Sequence, residues 1–453
     1  MPSRRTSPGG LKFELSALAR SLPGRLEGDD GTVDGVSIDS RSEIDGRLFV
    51  PLVADRDGHE FIADAAANGA AAYLTSQAPR SDVELPAIVV DATDRALTAL
   101  GSLARERLHG PVVGITGSVG KTSVKDLTLA ACRPAGPASA SAASFNNELG
   151  VPLTLANAPA GVGVTIVEMG ARGIGHITEL CEVARPTVGL VTCVALAHSE
   201  LFGSLEGVAR AKGELVEALP AAGTAVLNAD DPMVAAMATR TEASVLTFGT
   251  GIGGSSPDVR LGPVTVDRLL RPTFTVDCDR GRAEVTLQVR GAHMALNATA
   301  ALAGALAAGV GFDEAVAGLR EARISHWRME VAESPAGALV VNDAYNANPT
   351  SVRAALRALV DLDADRPVAV LGEMAELGEE GPAEHLAVVG EAVAAGIRVI
   401  AVSAPAYGPQ AEHATDRDEA LERLGPLGPG DAVLVKGSRV AGLEHLARAL
   451  LPS

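Results

Sequence analysis

The sequence predicts an α/β protein of three domains: a small N-terminal α/β domain, a central domain with a mostly parallel sheet covered by helices, and a C-terminal doubly wound, Rossmann-like domain. Three observations lead there. At 453 residues the chain exceeds what one hydrophobic core ordinarily supports. From His109 onward, short apolar runs alternate with stretches of helical spacing, the pattern of strand–helix–strand units. One such unit runs Val112-Val113-Gly114-Ile115, then Thr116-Gly117-Ser118-Val119-Gly120-Lys121-Thr122-Ser123, then a helical stretch over 124–130. We expect residues 1–10 to form a disordered tail and the domains to cover 11–108, 109–322 and 323–453.

Strand, glycine-rich turn, Lys-Thr and helix form the layout of a P-loop. Glycines free the backbone N–H groups to cradle phosphate, and the positive end of the helix adds to them. The lysine reaches the outer phosphates, and the threonine hydroxyl sits on Mg²⁺. The glycines stand at 114, 117 and 120, with Ile115 where the common pattern has its first glycine, so the match is to a variant form.

In the N-terminal region, 36–41 and 48–52 read as β-like, 60–71 as an Ala-rich helix and 87–90 as a strand. Asp39-Ser40-Arg41 could hold an anion through a forked arginine contact, or be a solvated turn. Central strands are expected at 112–115, 163–168, 188–194 and 225–228, followed by antiparallel excursions over 264–290 and a helix over 293–308. Ligands of such sheets bind beyond the carboxyl ends of the strands. Glu168 and His198 fall at those ends and could form a metal site beside the P-loop. In the last region, strands at 339–343, 367–372, 399–402 and 432–437 alternate with helices at 350–359 and 383–395, placing Asp343, Glu373 and Lys436 at strand ends. Residues 133–144 are a short Pro/Ala/Ser-rich segment.

The composition excludes several classes. A net charge of −18 without a basic block argues against a nucleic-acid or anionic-membrane surface. The N-terminus lacks the apolar stretch of a signal peptide, and the most apolar window, 294–312, is small-residue-rich and contains Asn297, so a buried helix is expected rather than a membrane span. Cys132, Cys181, Cys193 and Cys278 lack metal spacing and read as buried thiols of a cytoplasmic protein. Of 38 basic residues only Lys12, Lys121, Lys125, Lys212 and Lys436 are lysines, which raises interest in Lys212 and Lys436 as sites that need an amine.

The motifs together resemble the Mur ligases of peptidoglycan assembly over nearly the whole chain after residue 10. They are Asp39-Ser40-Arg41, the 117–123 loop, Asn146-Asn147-Glu148-Leu149-Gly150, Glu168-Met169-Gly170, Ala197-His198, Ala211-Lys212-Gly213-Glu214, and His293 with Asn297. Asn342-Asp343-Ala344-Tyr345-Asn346-Ala347-Asn348-Pro349, Leu371-Gly372-Glu373-Met374-Ala375-Glu376-Leu377-Gly378 and Lys436-Gly437-Ser438-Arg439 complete the set. The two long strings resemble the member that acts last in the cytoplasm. The Asp-Asn-Pro-Arg signature of the ligase that adds the third amino acid is not in the sequence.

That resemblance implies an ATP-dependent peptide ligase joining D-Ala-D-Ala to UDP-N-acetylmuramoyl-tripeptide through an acyl phosphate, acting in cell-wall synthesis as a cytoplasmic monomer. It implies that Gly117, Ser118, Gly120, Lys121, Thr122 and Ser123 hold the phosphates of ATP. Thr122, Glu168, His198 and Lys212 would serve two Mg²⁺ ions, with Lys212 carbamylated by CO₂. His293, Asn297, Asp343 and Asn346 would contact the nucleoside. Lys121, Lys212, His198 and Arg328 would carry catalysis, and Ser40, Arg41, Asn146 and Asn147 would meet the substrate. The N-terminal domain would bind the UDP end, and the C-terminal domain would close on ATP and bind the dipeptide.

Departures from the family pattern are Val119 for Asn, Ser123 for Thr, Cys193 for Asn, and Trp327, the one tryptophan, for Gly. Two alternatives stay open: a related amide ligase with another acceptor, and a nucleotide-binding partner protein that has lost ligation.

Overall fold

The computed structural model describes residues 10–142, 144–195 and 202–451. The expected tail therefore lies outside the described residues except for Gly10, which forms an antiparallel bridge with Pro159.

Among the described residues, four sheets organise the chain. In the N-terminal region a five-stranded sheet runs, in spatial order, Arg25–Glu27, Ala87–Val89, Ala72–Thr75, Leu48–Phe49, Val36–Ser37, beside a two-stranded ribbon of Lys12–Glu14 and Thr32–Asp34. Elements here are shorter than their apolar runs suggest: the expected helix over 60–71 is a 3-10 turn, Gly58–Phe61, and a helix, Ile62–Ala67.

The central sheet has nine strands in the order Gly281–Thr286, Pro272–Cys278, Val259–Val266, Ser244–Gly249, Thr224–Asn228, Val188–Val191, Val112–Thr116, Val164–Glu168, Ala138–Ala140. From Val259–Val266 to Ala138–Ala140 every pairing is parallel, while the first two strands extend the sheet antiparallel. The P-loop strand Val112–Thr116 is buried at every position, because its neighbours and the helices on both faces cover it. The Ala-rich segment forms the helix Met294–Ala307, packed against the P-loop helix Lys121–Cys132. Among the described residues, no helix is long and apolar enough to cross a membrane.

The C-terminal sheet runs Glu330–Glu333, Leu339–Asn342, Asp431–Lys436, Arg366–Leu371, Arg398–Val402, Glu412–Ala414, all parallel except the first pair. It meets the central domain through the segment around Ser325. Both the amide and the hydroxyl of Ser325 donate to Asp126 Oδ2 of the P-loop helix, at 2.8 and 2.7 Å. The neighbouring Lys125, also buried, donates to Ser141 O at 2.8 Å and lies 3.0 Å from Asp126 Oδ1.

Two residues of the connecting segment take a conformation that side chains resist. Trp327 has φ +61° and Met329 φ +52°, on either side of Arg328. A glycine would adopt that geometry freely. The Trp327 ring is held instead by the Arg439 guanidinium, 4.5 Å from its centroid, and Arg439 also pairs with Glu444 at 2.8 Å. Trp327→Gly is expected to be more stable than Trp327→Ala by about 1–2 kcal/mol, since both lose the ring and differ in tolerance of positive φ. Urea midpoints of the two variants check this. An alanine variant as stable as the glycine one contradicts it.

Candidate active site

The carboxyl ends of the central and C-terminal sheets face a common cleft of about 560 Å³. From the central domain it is lined by the P-loop, Asn146, Asn147, Glu168, Lys212, His293 and Asn297, and from the C-terminal domain by Arg328, Asp343, Tyr345, Asn346 and Lys436. Residues nearly 320 positions apart thus share one cavity.

The loop's shape follows from its glycines. Gly117 has φ +142°, and a Cβ there would run into the Thr192 side chain. Gly120 has φ +85°, with Asn297 Oδ1 2.9 Å from where its Cβ would stand. Thr192 in turn donates to Val119 O at 2.6 Å, and Ser118 N–H bonds to Cys193 O at 2.9 Å. The neighbouring strand, expected to reach 194, ends at Val191 because the next residues turn to clasp this loop. Cys193, half-buried there, and Cys278 are less enclosed than expected, and all four thiols are free. Gly117→Ala is expected to cost about 1–3 kcal/mol by overpacking against Thr192. Thermal denaturation measures this, and an unchanged melting temperature refutes the reading.

Lys121 folds back over its own loop, donating to Gly117 O at 2.7 Å. Burial pushes its amine below the usual lysine value, while Glu168 pulls it back up and Arg328 adds to the lowering. Glu168 is buried: its Oε1 accepts from Asn146 Nδ2 at 2.8 Å, and its Oε2 has no hydrogen-bond partner among the described residues. Lys212 lies on the helix Leu205–Glu217, which starts at Ser204 as its cap. Its ammonium lies 5.6 Å from the Phe202 ring centroid, and burial, with Lys121 nearby, lowers its amine to about 7. His293 is pushed to about 4 by burial, so it is neutral at physiological pH. His198 lies outside the described residues.

Across the cleft, Arg328 stacks on the Tyr345 ring at 4.2 Å, and its Nε has no partner among the described residues. Asp343 is held from two sides. Its Oδ1 accepts from Met329 N–H at 3.1 Å and its Oδ2 from Lys436 Nζ at 2.5 Å, while Lys436 also donates to Asn346 O at 2.8 Å. The amine at Lys436, singled out by composition, therefore orders the Asp343–Asn346 loop. Ser40 and Arg41 are not among the cleft-lining residues. The Arg41 fork is taken by its own neighbour Asp39, at 2.8 and 3.0 Å, although Ile38, three residues away, lines the cleft.

Sequence reasoning missed Ser144. Its hydroxyl accepts from Tyr345 OH at 2.7 Å and lies 3.2 Å from Thr122 Oγ1. The one signal was its place two residues before Asn146. The Pro/Ala/Ser-rich segment 133–144, which ends at Ser144, contains the edge strand Ala138–Ala140 and the buried Ser141.

Comparison with known proteins follows the same division. Residues 115–305 match the Mur ligase middle domain and residues 327–439 the Mur ligase, glutamate ligase domain. UDP-N-acetylmuramoyl-tripeptide–D-alanyl-D-alanine ligase of Mycobacterium tuberculosis is 41% identical, covering 92% of each chain. The Escherichia coli enzyme of that name is 36% identical, over 97% of this chain and 98% of its own. Among solved structures, MurF from Acinetobacter baumannii superposes with a TM-score of 0.86 at 28% identity, covering 98% of this chain and 99% of that one. MurF from Thermotoga maritima in complex with ADP superposes at 0.76 and 27% identity, covering 92% and 96%.

Proposed function

Because the chain belongs to the Mur ligase family, we infer that it joins D-alanyl-D-alanine to UDP-N-acetylmuramoyl-tripeptide at the expense of ATP. The observation that carries this reading is the single cleft in which the P-loop meets Arg328, Asp343 and Tyr345 of the other domain. This is the last cytoplasmic step in building the pentapeptide precursor of peptidoglycan.

A carboxylate resists attack by an amine, because the displaced group would be oxide. Transfer of the γ-phosphoryl group of ATP to the tripeptide's terminal carboxylate oxygen, with ADP leaving, replaces that group by phosphate. The dipeptide amine then attacks the carbonyl carbon, loses a proton, and expels phosphate. The protein's task is to hold crowded anions and keep water out.

We assign the phosphates to the loop amides of Gly117–Ser123 and to Lys121, which leaves Gly117 O to reach them. Arg328, whose Nε has no partner among the described residues, approaches from the opposite wall. The nucleoside falls to His293, Asn297, Asp343 and Asn346. Neutral His293 can accept or donate a hydrogen bond without bringing a second cation near Lys436. We assign Asn146 and Asn147, which border the cleft, to the acyl substrate. We keep Ser40 and Arg41 for the UDP end, with residues 11–108 as its binding domain, 109–322 as the ATP domain and 323–453 as the domain that closes and takes the dipeptide.

The residues fit Mg²⁺. Glu168 offers a buried carboxylate oxygen without a partner among the described residues, and the Thr122 hydroxyl stands in the same cavity. A Mg²⁺ held by Glu168 and Thr122 would supply charge neutralisation to the phosphate oxygens and polarisation of the transferring group. Lys212 suits carbamylation, because only a neutral amine adds CO₂ and its environment brings the amine to about 7.

Phosphate release from ATP and Mg²⁺ tests the reading, with the tripeptide donor present and D-Ala-D-Ala compared against single amino acids. Release that requires both donor and dipeptide is expected. Release with another acceptor moves the substrate assignment, and no release with ATP still bound overturns ligation.

A further inference from the structure

Resting on the ligase reading, one more residue connects the two halves of the cleft. Ser144 comes from the segment between the edge strand Ala138–Ala140 and the Asn146-Asn147 pair, and none of the roles assigned above uses it. Its hydroxyl accepts a hydrogen bond from Tyr345 OH at 2.7 Å, 201 residues away in the C-terminal domain. On the other side it lies 3.2 Å from Thr122 Oγ1 of the P-loop helix. Arg328 Nη2, from the same wall as Tyr345, stands 3.5 Å from it. These contacts tie the threonine of the phosphate loop to the domain that must close.

A hydroxyl has one proton and two lone pairs. When Thr122 Oγ1 turns a lone pair to a cation, its own proton needs an acceptor, and Ser144 Oγ is at hand. Ser144 then accepts from Thr122 and from Tyr345 together, which takes both lone pairs and gives up the long 3.5 Å contact from Arg328 Nη2, and directs its own proton to an anionic oxygen in the cleft. Without a cation the Thr122 proton has no fixed direction and the Tyr345 bond loses this cooperative partner. We propose that Ser144 is a positioning residue that couples a divalent cation on Thr122 to docking of the C-terminal domain through Tyr345.

Trp327, the one tryptophan, supplies a reporter. It stands in the segment joining the domains, and its carbonyl accepts Tyr345 N–H at 3.2 Å. Full-length protein with saturating ADP is titrated with Mg²⁺, following Trp327 emission together with the radius of gyration from solution scattering. Four variants accompany the parent: Ser144→Ala, Ser144→Thr, Tyr345→Phe and the double Ser144→Ala/Tyr345→Phe. Tyr345→Phe keeps the ring that stacks on Arg328, so it carries the test if Ser144→Ala folds poorly.

The Mg²⁺ concentration at half-maximal closure is expected to rise about fivefold in Ser144→Ala and in Tyr345→Phe, since each breaks the link between Ser144 and Tyr345. Ser144→Thr, which retains the hydroxyl, should return to within about twofold of the parent. The double variant should shift no further than either single one, because both remove the same link. A serine that merely props the loop would lower the melting temperature and leave the Mg²⁺ midpoint where it was. That result, or additive shifts in the double variant, overturns the coupling. A parent chain that fails to bind Mg²⁺-ADP at all overturns the ligase reading and this proposal with it, so the two failures are told apart.

Discussion

Replacing Lys212 by arginine is expected to reduce ligation by at least about a hundredfold while leaving the circular dichroism spectrum intact. A guanidinium stays protonated and cannot add CO₂, so the anionic group that a carbamate would offer to the cleft is lost. Near-normal phosphate release by that variant refutes the assignment. The same lysine predicts a pH dependence. Its amine is lowered to about 7 by burial, so the neutral fraction, and turnover with it, should rise as pH increases through that value, provided CO₂ is supplied. Turnover that falls over that range, or that is indifferent to removal of CO₂, contradicts the carbamate.

Stability gives an independent check on the sign. The unfolded amine holds its proton up to about 10.4, the folded one only to about 7. Below 7 both states carry the proton and the folded state bears the full cost of a buried ammonium. Between the two values the unfolded state binds more protons, so stability rises with pH. Lys212→Met removes the titration, and its stability advantage over the parent should therefore shrink as pH is raised above 7 in CO₂-free buffer. An advantage that grows instead means that the amine keeps its proton in the fold.

Lys121→Met is the second large effect. The amine is desolvated in the loop, with its pKa lowered mainly by burial, and it is held by Gly117 O at 2.7 Å. Removing it takes away the positive charge aimed at the transferring phosphoryl group, and a loss of about a hundredfold to a thousandfold in kcat is expected. Thermal stability should hold or increase, because the variant no longer desolvates an ammonium in the loop. Loss of activity accompanied by a lower melting temperature would instead make Lys121 a structural part of the loop. Single-turnover phosphoryl transfer beside a thermal scan separates the two.

Much of this was legible in the chain itself, and the reason is range. The P-loop, its strand and its helix need only residues within some twenty positions of one another, so spacing predicts them, and the strand Val112–Thr116 and helix Lys121–Cys132 stand where the pattern puts them. The Ala-rich window became the buried helix Met294–Ala307 for the same reason: its many small residues, with leucines between them, allow close packing on most sides. Where neighbours decide, the pattern misleads. The third central strand stops at Val191 because the phosphate loop claims the following backbone.

Composition drew attention to five lysines without assigning Lys125 a place, and burial sorted them. Lys125, Lys212 and Lys436 are enclosed, each for a different purpose: bracing Ser141, lining the cleft with a weakened base, and ordering Asp343. The sequence by itself determined the fold class, the family resemblance and the phosphate loop, because these reside in local spacing and in motif identity. Only the tertiary structure decided the electrostatics of Lys212, the left-handed backbone at Trp327 and the contact of Ser144 with Tyr345. Desolvation and contacts between domains depend on which distant residues come together, and no short-range pattern encodes them.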